Sequence, residues 1–411
     1  MSADTHTTNV PFFRPSISKD AIAEVTKCLE SGWLTTGPMT RRFESEFAEA
    51  VSGKNAVAVN SCTAALHLSV RALGLNPGEG VLVPTNTFAA TAEVVMYGGG
   101  IPILVDCDPV TLGIDWADAQ RKLEQAKQGS LPVDVSRVVG LMPVHYGGLM
   151  VDMDIAKQFA NEHGLWVVED AAHSFPAAYD SADRGERISC GQNTADVTCF
   201  SFYANKTITT GEGGMAVTDN EELAERIRRA SLHGLSSDAW RRFESAAKWD
   251  YRIIEPGYKY NLTDIASAIG VHQLARAETM RQDREAISTQ YFQKLADISA
   301  LRLPPRSERH LHSWHLYPVR LELSQLTINR DQFCVELGNR GIGFSVHWRP
   351  LHLHPLYQGL GWADSCPTSS SAWPELISLP IFSGMRDDEV ESVVSALHEI
   401  INDHSASVSS A

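Results

Sequence analysis

The sequence predicts an α/β protein, in which a mostly parallel sheet with helices on both faces is followed by a smaller α+β domain. The first observation is that short, near-continuous Val/Ile/Leu runs alternate with amphipathic segments from about residue 55 to 230, as in strands that are buried on both faces. The second is that this alternation ends near residue 270. We therefore place a large domain at residues 1–270, with residues 1–10 flexible, and a small domain at residues 271–411.

The strands of the large domain follow one another along the chain, each rich in Val, Ile or Leu. Between them lie segments whose apolar residues have helical spacing. We expect strands at 55–60, 80–88, 101–108, 138–147 and 165–173, and two further apolar runs, 197–202 and 215–218, on either side of a glycine-rich turn. Strands that alternate with helices in this way favour a parallel sheet.

The small domain has a different pattern. A long charged helix is predicted at 272–298, a strand in "HLYPVRLEL" (315–323) and a final helix at 386–403. The closing residues "SASVSSA" (405–411) are polar and small, as in a frayed tail. We find no internal repeat, and this mixture indicates an α+β unit.

Charge and cysteine content exclude several classes of protein. The formal net charge of −15 disfavours binding to nucleic acid, because an acidic surface repels phosphate backbones. No stretch approaches the roughly 20 apolar residues that span a bilayer, and the polar N-terminus lacks the features of a signal peptide. Seven cysteines without a C-x-x-C pair disfavour a disulfide framework or a zinc ribbon. We expect a cytoplasmic enzyme that binds no membrane.

Polar groups and one aromatic ring fall at the ends of the predicted strands, where ligands bind in an open α/β sheet. In chain order they are Ser61, Cys62 and Thr63 at a strand-to-helix junction, Phe88, Asp170 with His173 three residues later, and Lys206. The junction suits a phosphate, because the helix N-terminus presents unpaired N–H groups and a positive dipole end. Taken singly, each has an ordinary explanation: a helix N-cap at the junction and at Asp170, a core position for Phe88, and a solvated turn for Lys206.

Taken together, these groups are what pyridoxal phosphate requires. A phosphate cradle, an aromatic plate, a carboxylate and an amine would all face one cofactor. Lys206 would bond to the cofactor aldehyde, and Asp170 would keep the pyridine nitrogen protonated, so that the ring can accept electrons. An amine beside apolar strands and a cationic ring has a lowered pKa, which suits proton transfer.

Many segments, in the same order, resemble the DegT/DnrJ/EryC1/StrS family of sugar aminotransferases over about residues 11–403. They are "ESGWLTTGP" (30–38), "VNSCTAALHL", "MPVHYGG" (142–148), "VVEDAAHSF", "FSFYANKTITTGEGGMAVT", "LHGL" (232–235) and "PGYKYNLTDIASAIG" (256–270). The similarity is greatest to the branch that aminates UDP-linked 4-keto sugars. The resemblance implies a pyridoxal-phosphate-dependent transferase of fold type I, L-glutamate as amino donor, a nucleotide-linked keto sugar as acceptor, and a homodimer with shared active sites.

The resemblance also assigns roles to individual residues. Lys206 matches the lysine that binds the cofactor, and Asp170 matches its pyridinium partner. His173 stands beside the ring, where many members have Gln. The residues that match phosphate contacts are Cys62, Thr63, Ser201 and, reaching over from the neighbouring subunit, Asn261. Phe88 stands where the most similar branch has Trp.

Two histidine-rich segments raise the question of a metal site. In "HLHSWH", His310 and His312 would share one face of a strand, with His315 close by, and "VHWRPLHLH" adds His347, His352 and His354. No cysteine or acidic ligand accompanies them at suitable spacing, so we expect no metal. In the resembling family these segments border the sugar pocket, which makes His315 and His347 candidate sugar or nucleotide contacts. Arg349 could hold a phosphate or carboxylate with its guanidinium fork, or could lie solvated on the surface.

Two rival functions follow from the same motifs. A dehydratase of this fold would use the cofactor to remove a sugar hydroxyl, but in such members of the family His replaces the lysine, and residue 206 is Lys. The other rival function is that of a non-catalytic cofactor-binding protein with a regulatory role. The sequence offers no basic patch and no fused DNA-binding segment that would favour it. Aminotransfer is the function that the sequence predicts.

Overall fold

The computed structural model describes residues 9–235 and 252–406. Its strands are β1 (Asn55–Val59), β2 (Glu79–Pro84), β3 (Ile101–Val105), β4 (Arg137–Leu141), β5 (Trp166–Asp170), β6 (Ala178–Ser181), β7 (Glu186–Ser189), β8 (Val197–Ser201), β9 (Gly214–Thr218), β10 (Leu301–Arg302), β11 (His310–Leu311), β12 (Tyr317–Leu321) and β13 (Leu376–Leu379). Its helices are α1 (Lys19–Ser31), α2 (Pro38–Ala50), α3 (Cys62–Ala72), α4 (Ala89–Tyr97), α5 (Trp116–Gln128), α6 (Met153–His163), α7 (Glu221–Ser231), α8 (Asp264–Leu274), α9 (Ala277–Leu295), α10 (Arg330–Asn339), α11 (Pro355–Gly359), α12 (Pro367–Ala372) and α13 (Asp387–Asp403).

A seven-stranded sheet in the order β1-β9-β8-β5-β4-β2-β3 forms the centre of the large part of the chain. Every strand runs parallel to the others except β9, which pairs antiparallel with both β1 and β8. Smaller three-stranded sheets, β10-β12-β13 and β11-β6-β7, lie outside it. The predicted α/β class with a mostly parallel sheet is therefore confirmed. Because the parallel strands all end at one edge, the residues that follow β1, β2, β5 and β8 meet there.

The strands end earlier than their apolar runs predicted. β2 stops at Pro84, β4 at Leu141 and β5 at Asp170. Beyond these points the chain still makes backbone bonds, as between His145 N–H and the Asp170 carbonyl at 3.3 Å, but it turns over the edge of the sheet. The final apolar and polar residues of each predicted strand therefore form loops at the carboxyl edge.

The long helix predicted at 272–298 is divided in the structure. Its first residues belong to the end of α8, which stops at Leu274, and the rest form α9, which begins at Ala277. The first of them, α8, packs closely on α2: a Cβ added at Gly270 would lie 2.7 Å from the Phe43 ring. The predicted boundary at residues 270/271 falls inside α8. Met280 still belongs to the core around the large sheet, and Ile287 belongs to the second core, so we infer a boundary within α9.

Two hydrophobic clusters support the division into a large and a small unit. One surrounds the seven-stranded sheet, and the other joins α9, β12, β13 and α13. Val10 is fully buried in the second cluster and pairs with Ile342, so the segment expected to be flexible is ordered at this point. Residues 1–8 of that segment lie outside the described residues. At the other end Ser405 pairs with Leu326, while residues 407–411 of the expected tail also lie outside them.

No helix in the part of the chain that the structure describes combines the length and the apolar character needed to cross a lipid bilayer.

Candidate active site

A cavity of about 490 Å³ lies at the carboxyl edge of the large sheet. The structure brings ten of the predicted site residues together around it: Ser61, Cys62, Thr63, Phe88, Asp170, His173, Ser201, Lys206, His315 and His347. The first eight come from the large unit, and the two later histidines come from segments of the small unit. The predicted strand ends therefore converge on one site.

The phosphate-binding candidate is the N-terminus of α3. Ser61 is the N-cap, and its Oγ accepts a hydrogen bond from Ala64 N–H at 3.1 Å, so the N-cap interpretation of this junction is correct. The preceding N–H groups, of Cys62 and Thr63, belong to the first turn, where a helix leaves its donors without intrahelical partners. Gly214 lets β9 lie against this turn, because a Cβ there would come within 2.6 Å of Ser61 and Cys62 backbone atoms. An anion at the cavity can thus meet backbone donors.

The Asp170 carboxylate is buried at the end of β5 and is held by two donors. Thr91 Oγ1 donates to Oδ2 at 2.7 Å, and Ala172 N–H donates to Oδ1 at 3.1 Å. Burial raises the pKa of Asp170, even though these hydrogen bonds and the charge of Lys206 act in the opposite direction. The buried negative charge of Asp170 is therefore only partly stabilised by the protein, and a cationic partner such as a protonated ring nitrogen would stabilise it further.

Lys206 closes a tight turn, and the residue is half-buried in the cavity wall rather than fully solvated. Its backbone N–H donates to the Tyr203 carbonyl at 3.0 Å, and its Nζ lies 3.2 Å from His315 Nε2. Burial lowers the pKa of Lys206 to about 8. With this pKa roughly a tenth of the amine is uncharged at pH 7, far more than for an ordinary lysine, and this uncharged form is the one that can act as nucleophile and proton acceptor.

Three histidines in the wall are neutral. His173 Nδ1 accepts a hydrogen bond from Gly147 N–H at 3.2 Å, and His347 Nδ1 lies 2.8 Å from Ser378 Oγ. Burial, followed by the charge of Lys206, lowers the pKa of His173 and of His315 well below the ordinary range, and that of His347 to about 3. Lys206 is therefore the cation among the described residues of the wall.

Two predicted residues do not line the cavity. Arg349 is exposed, and its guanidinium donates to the Leu353 carbonyl at 2.9 and 3.2 Å, so the structure does not place it in the substrate site. Asn261 pairs with Val59 beside the end of β1, and its amide donates to Thr36 Oγ1 at 2.8 Å. Its predicted contact with the phosphate held by another subunit stays a prediction. Phe88 lines the cavity but is 58% exposed, which excludes a core position.

Sequence reasoning missed several residues of the wall. Trp348 stacks on His173 with ring centroids 5.0 Å apart, and Asn205 Oδ1 is buried without a partner among the described residues. Behind the wall, Thr91, which holds Asp170, is the third residue of α4. Asn205 and Trp348 are sequence neighbours of Lys206 and His347, and that adjacency was the available signal. Thr91 had none, because its role depends on a contact between α4 and β5.

A buried group behind Asp170 has the composition of a metal site. His145, Glu169 and Cys190 bring their ligand atoms within 4.8 Å of one another. His145 Nδ1 accepts from Val151 N–H at 3.1 Å, and its Nε2 lies 2.9 Å from Glu169. Glu169 also accepts from two threonine hydroxyls. Since these ligand atoms already have protein partners, the group serves to anchor the end of β5.

The histidine-rich segments are dispersed. In the segment 310–315, strand β11 covers His310 and Leu311 and ends before His312, so His310 and His312 do not share a strand face. His312 stacks on Trp314, and His352 lies between Thr85 and Ser370 hydroxyls, each 2.8 Å away. Of these segments, His315 and His347 reach the cavity.

Comparison with known proteins places the chain in a family. The profile of the DegT/DnrJ/EryC1/StrS aminotransferase family matches residues 15–398. The uncharacterized protein MJ1066 of Methanocaldococcus jannaschii is 42% identical, over 96% of this chain and 98% of that protein. The spore coat polysaccharide biosynthesis protein SpsC of Bacillus subtilis is 41% identical, over 95% and 97%. Spr1654 of Streptococcus pneumoniae, provisionally named a sugar aminotransferase and solved in its PLP form, has a TM-score of 0.85 at 29% identity, over 96% and 99%.

The fold and the site therefore define a pyridoxal-phosphate-dependent aminotransferase of fold type I. The chain belongs to the DegT/DnrJ/EryC1/StrS family, as its motifs predicted.

Proposed function

We propose that this aminotransferase moves the amino group of L-glutamate to the keto group of a nucleotide-linked sugar, a UDP-linked 4-keto sugar. The observation that carries the proposal is the convergence of Lys206, Asp170 and the N-terminus of α3 on one cavity. The motif resemblance to the UDP-4-keto-sugar branch supports the acceptor. The names of SpsC and Spr1654, which refer to polysaccharide synthesis and to sugar aminotransfer, support a sugar.

The residues of the wall fit pyridoxal phosphate. The first turn of α3 offers backbone donors for the phosphate, Gly214 lets β9 pack closely against this turn, and Asn205 Oδ1 is a buried acceptor without a donor among the described residues. Asp170 would hold the proton of the ring nitrogen. When bound, the cofactor supplies an electron sink for the carbon that carries the amino group.

The protein side of the chemistry then falls to few groups. With the cofactor bound, the Nζ of Lys206 would take a proton from one carbon and deliver it to another, once in each half-reaction. The lowered pKa of Lys206 permits this, because the amine can both accept and release a proton near neutral pH. Thr91 keeps the Asp170 carboxylate aimed into the cavity. Phe88, Tyr203 and Trp348 supply aromatic surface at the wall, against which a sugar or base can pack while water is excluded.

A screen of nucleotide-linked keto sugars tests the substrate assignment. Purified enzyme with pyridoxal phosphate and L-glutamate is incubated with UDP- and dTDP-linked 3-keto and 4-keto sugars, and products are read by mass spectrometry. We expect an amino-sugar product from a UDP-linked 4-keto sugar together with 2-oxoglutarate in equal amount. Product from the dTDP or 3-keto compounds alone would contradict the finer assignment. A product that has lost a hydroxyl group without gaining nitrogen would favour the dehydratase.

We also propose a homodimer in which each active site uses residues of both chains. Large apolar side chains are exposed on α1 and α4, among them Ile22, Leu29 and Tyr97, and beyond them Ile253 and Ile254 are more than half exposed. Exposed apolar surface of this kind marks association sites. Apart from Lys206, the described wall has no cation for a substrate carboxylate or diphosphate, and a partner chain would supply one.

Mixed dimers test the shared site through Asn261. In a dimer of one Lys206→Ala chain and one Asn261→Ala chain, one site carries both lesions and the other carries neither. The test requires that Asn261→Ala alone be clearly impaired; mixing it with inactive Lys206→Ala, with subunit exchange, should then restore up to half of the wild-type activity per mixed dimer. The assay is run at limiting cofactor, because the loss of one phosphate contact costs only about 0.5–1.5 kcal/mol.

The matched control mixes Lys206→Ala with Asp170→Asn. Both residues line the cavity of the same chain, so each site of that mixed dimer keeps one lesion and activity should stay at the parental average. Equal behaviour of the two mixtures would refute sharing through Asn261.

We further propose that the enzyme acts in the cytoplasm. All seven cysteines are free and buried, as in proteins of reducing compartments.

A further inference from the structure

His315 lines the cavity and lies directly against the reactive lysine. Its Nε2 lies 3.2 Å from Lys206 Nζ, while the residue is only 4% exposed. Its other ring nitrogen, Nδ1, is buried without a partner among the described residues. The ring packs on His173 with centroids 4.3 Å apart, which sets the orientation of the imidazole.

The backbone at His315 is held from two sides. Arg284 of α9 is buried, and its Nη1 donates to the carbonyls of Trp314 at 3.1 Å, His315 at 3.5 Å and Ile381 at 2.8 Å. On the other side, Ser313 and Leu316 N–H groups donate to the turn at Gly147–Gly148, at 3.3 and 3.0 Å. The close approach needs a glycine, because a Cβ at Gly148 would lie 2.0 Å from Ser313 Oγ.

From this geometry we propose that His315 is a positioning residue for Lys206, which hydrogen-bonds the free amine and aims its lone pair at the substrate carbon. A neutral amine has one lone pair, so an N–H donated to His315 Nε2 leaves that pair available. The burial of both groups favours their neutral forms, consistent with the lowered pKa values of Lys206 and His315. The inference rests on the proposed aminotransfer, and it replaces the sugar-binding role expected for His315 from the sequence.

The two halves of the reaction separate these roles. The amine of Lys206 acts in both, whereas the sugar is present only in the second. If His315 positions Lys206, then His315→Leu slows the glutamate half-reaction and the sugar half-reaction alike, each by about tenfold, the value of one buried hydrogen bond. Each half-reaction is followed by the visible absorbance of the cofactor in a stopped-flow instrument, with one substrate present at a time.

A third measurement needs no substrate. The full chain is stripped of pyridoxal phosphate, given it back, and quenched with borohydride at timed intervals. Mass spectrometry then counts the chains labelled at Lys206. We expect His315→Leu to slow this capture by a similar factor, because the same amine must attack the cofactor aldehyde.

Two further variants, His315→Gln and His315→Asn, test the proposal even if the leucine variant folds poorly. The amide of His315→Gln reaches the position of Nε2 and should retain most of the rate. The amide of His315→Asn reaches only the position of Nδ1 and should behave like leucine. His312→Gln is the control for disturbance of the segment, because His312 is equally buried but bonds the Trp314 N–H outside the cavity. It should lower the melting temperature without changing either half-reaction.

The proposal is overturned if only the sugar half-reaction slows, if cofactor capture is unchanged, or if Asn and Gln are equivalent. A failure of the proposed function looks different: the wild-type enzyme would show no sugar half-reaction, while the glutamate half-reaction and the cofactor capture would still report on His315.

Discussion

The Lys206→Ala enzyme should fold normally, bind no cofactor covalently and lose turnover by at least roughly a thousandfold. The amine is needed twice, to hold the cofactor and to move protons, and proton transfer by a positioned group alone contributes roughly 10²–10⁴-fold. Among the described residues its side chain makes one hydrogen bond, to His315, and burial lowers its pKa to about 8, so the folded protein holds the charged form at a cost. Removing a poorly solvated charge does not destabilise a fold, so the melting temperature should be unchanged or higher.

The measurements are the steady-state rate, the yellow colour of the purified protein and the site of borohydride labelling. Lys54→Ala is a suitable control, because Lys54 lies next to β1 but its side chain is 72% exposed and pairs with Asp219 at 3.6 Å. That variant should keep both colour and rate. Labelling of a lysine other than Lys206 in the wild type would show that the assignment is wrong.

Asp170→Asn should retain the cofactor but lose activity by at least about tenfold to a hundredfold. The change is isosteric: an amide oxygen can still accept from Ala172 N–H, and the amide nitrogen can face the Thr91 hydroxyl. The amide cannot stabilise a protonated ring nitrogen, whose charge-assisted hydrogen bond to a carboxylate is worth about 1.5–3 kcal/mol. Because burial already raises the pKa of Asp170, loss of its charge should not weaken the fold.

Turnover, the cofactor absorbance spectrum and the melting temperature are measured together. Asp106→Asn is the contrasting variant, since Asp106 is buried and accepts from Thr368 and Ser369 N–H groups, each at 2.8 Å, away from the cavity. It should lower the melting temperature and leave the cofactor spectrum unchanged. If Asp170→Asn turned over at a near-normal rate, this carboxylate would not be the partner of the ring.

Local sequence patterns were sufficient to predict the strands of the large sheet and the site residues that follow them. Each apolar run became a strand close to its expected position, and the groups that follow them, from Ser61 to Lys206, meet because parallel strands end at one edge. Ser61 fits both interpretations offered for it, because it is the N-cap of α3 and also lies at the helix end that faces the cavity, where a phosphate could bind. These features depend on residues close in sequence, whose spacing alone determines which side of the sheet they reach.

Contacts between distant residues were decided only by tertiary structure. Arg349 and His347 are two residues apart, yet one bonds to a surface carbonyl and the other lines the cavity. His315 meets Lys206 across 109 positions in the chain, because Arg284 and the Gly147–Gly148 turn hold its backbone there. The close approach of α8 to α2, which Gly270 permits beside Phe43, is likewise a contact between distant residues. The sequence by itself determined the class of protein and the cofactor machinery, through strand order and strand ends. The side chains that surround the amine depend on how the small unit packs against the large one, and that packing is the sum of many contacts with no local signature.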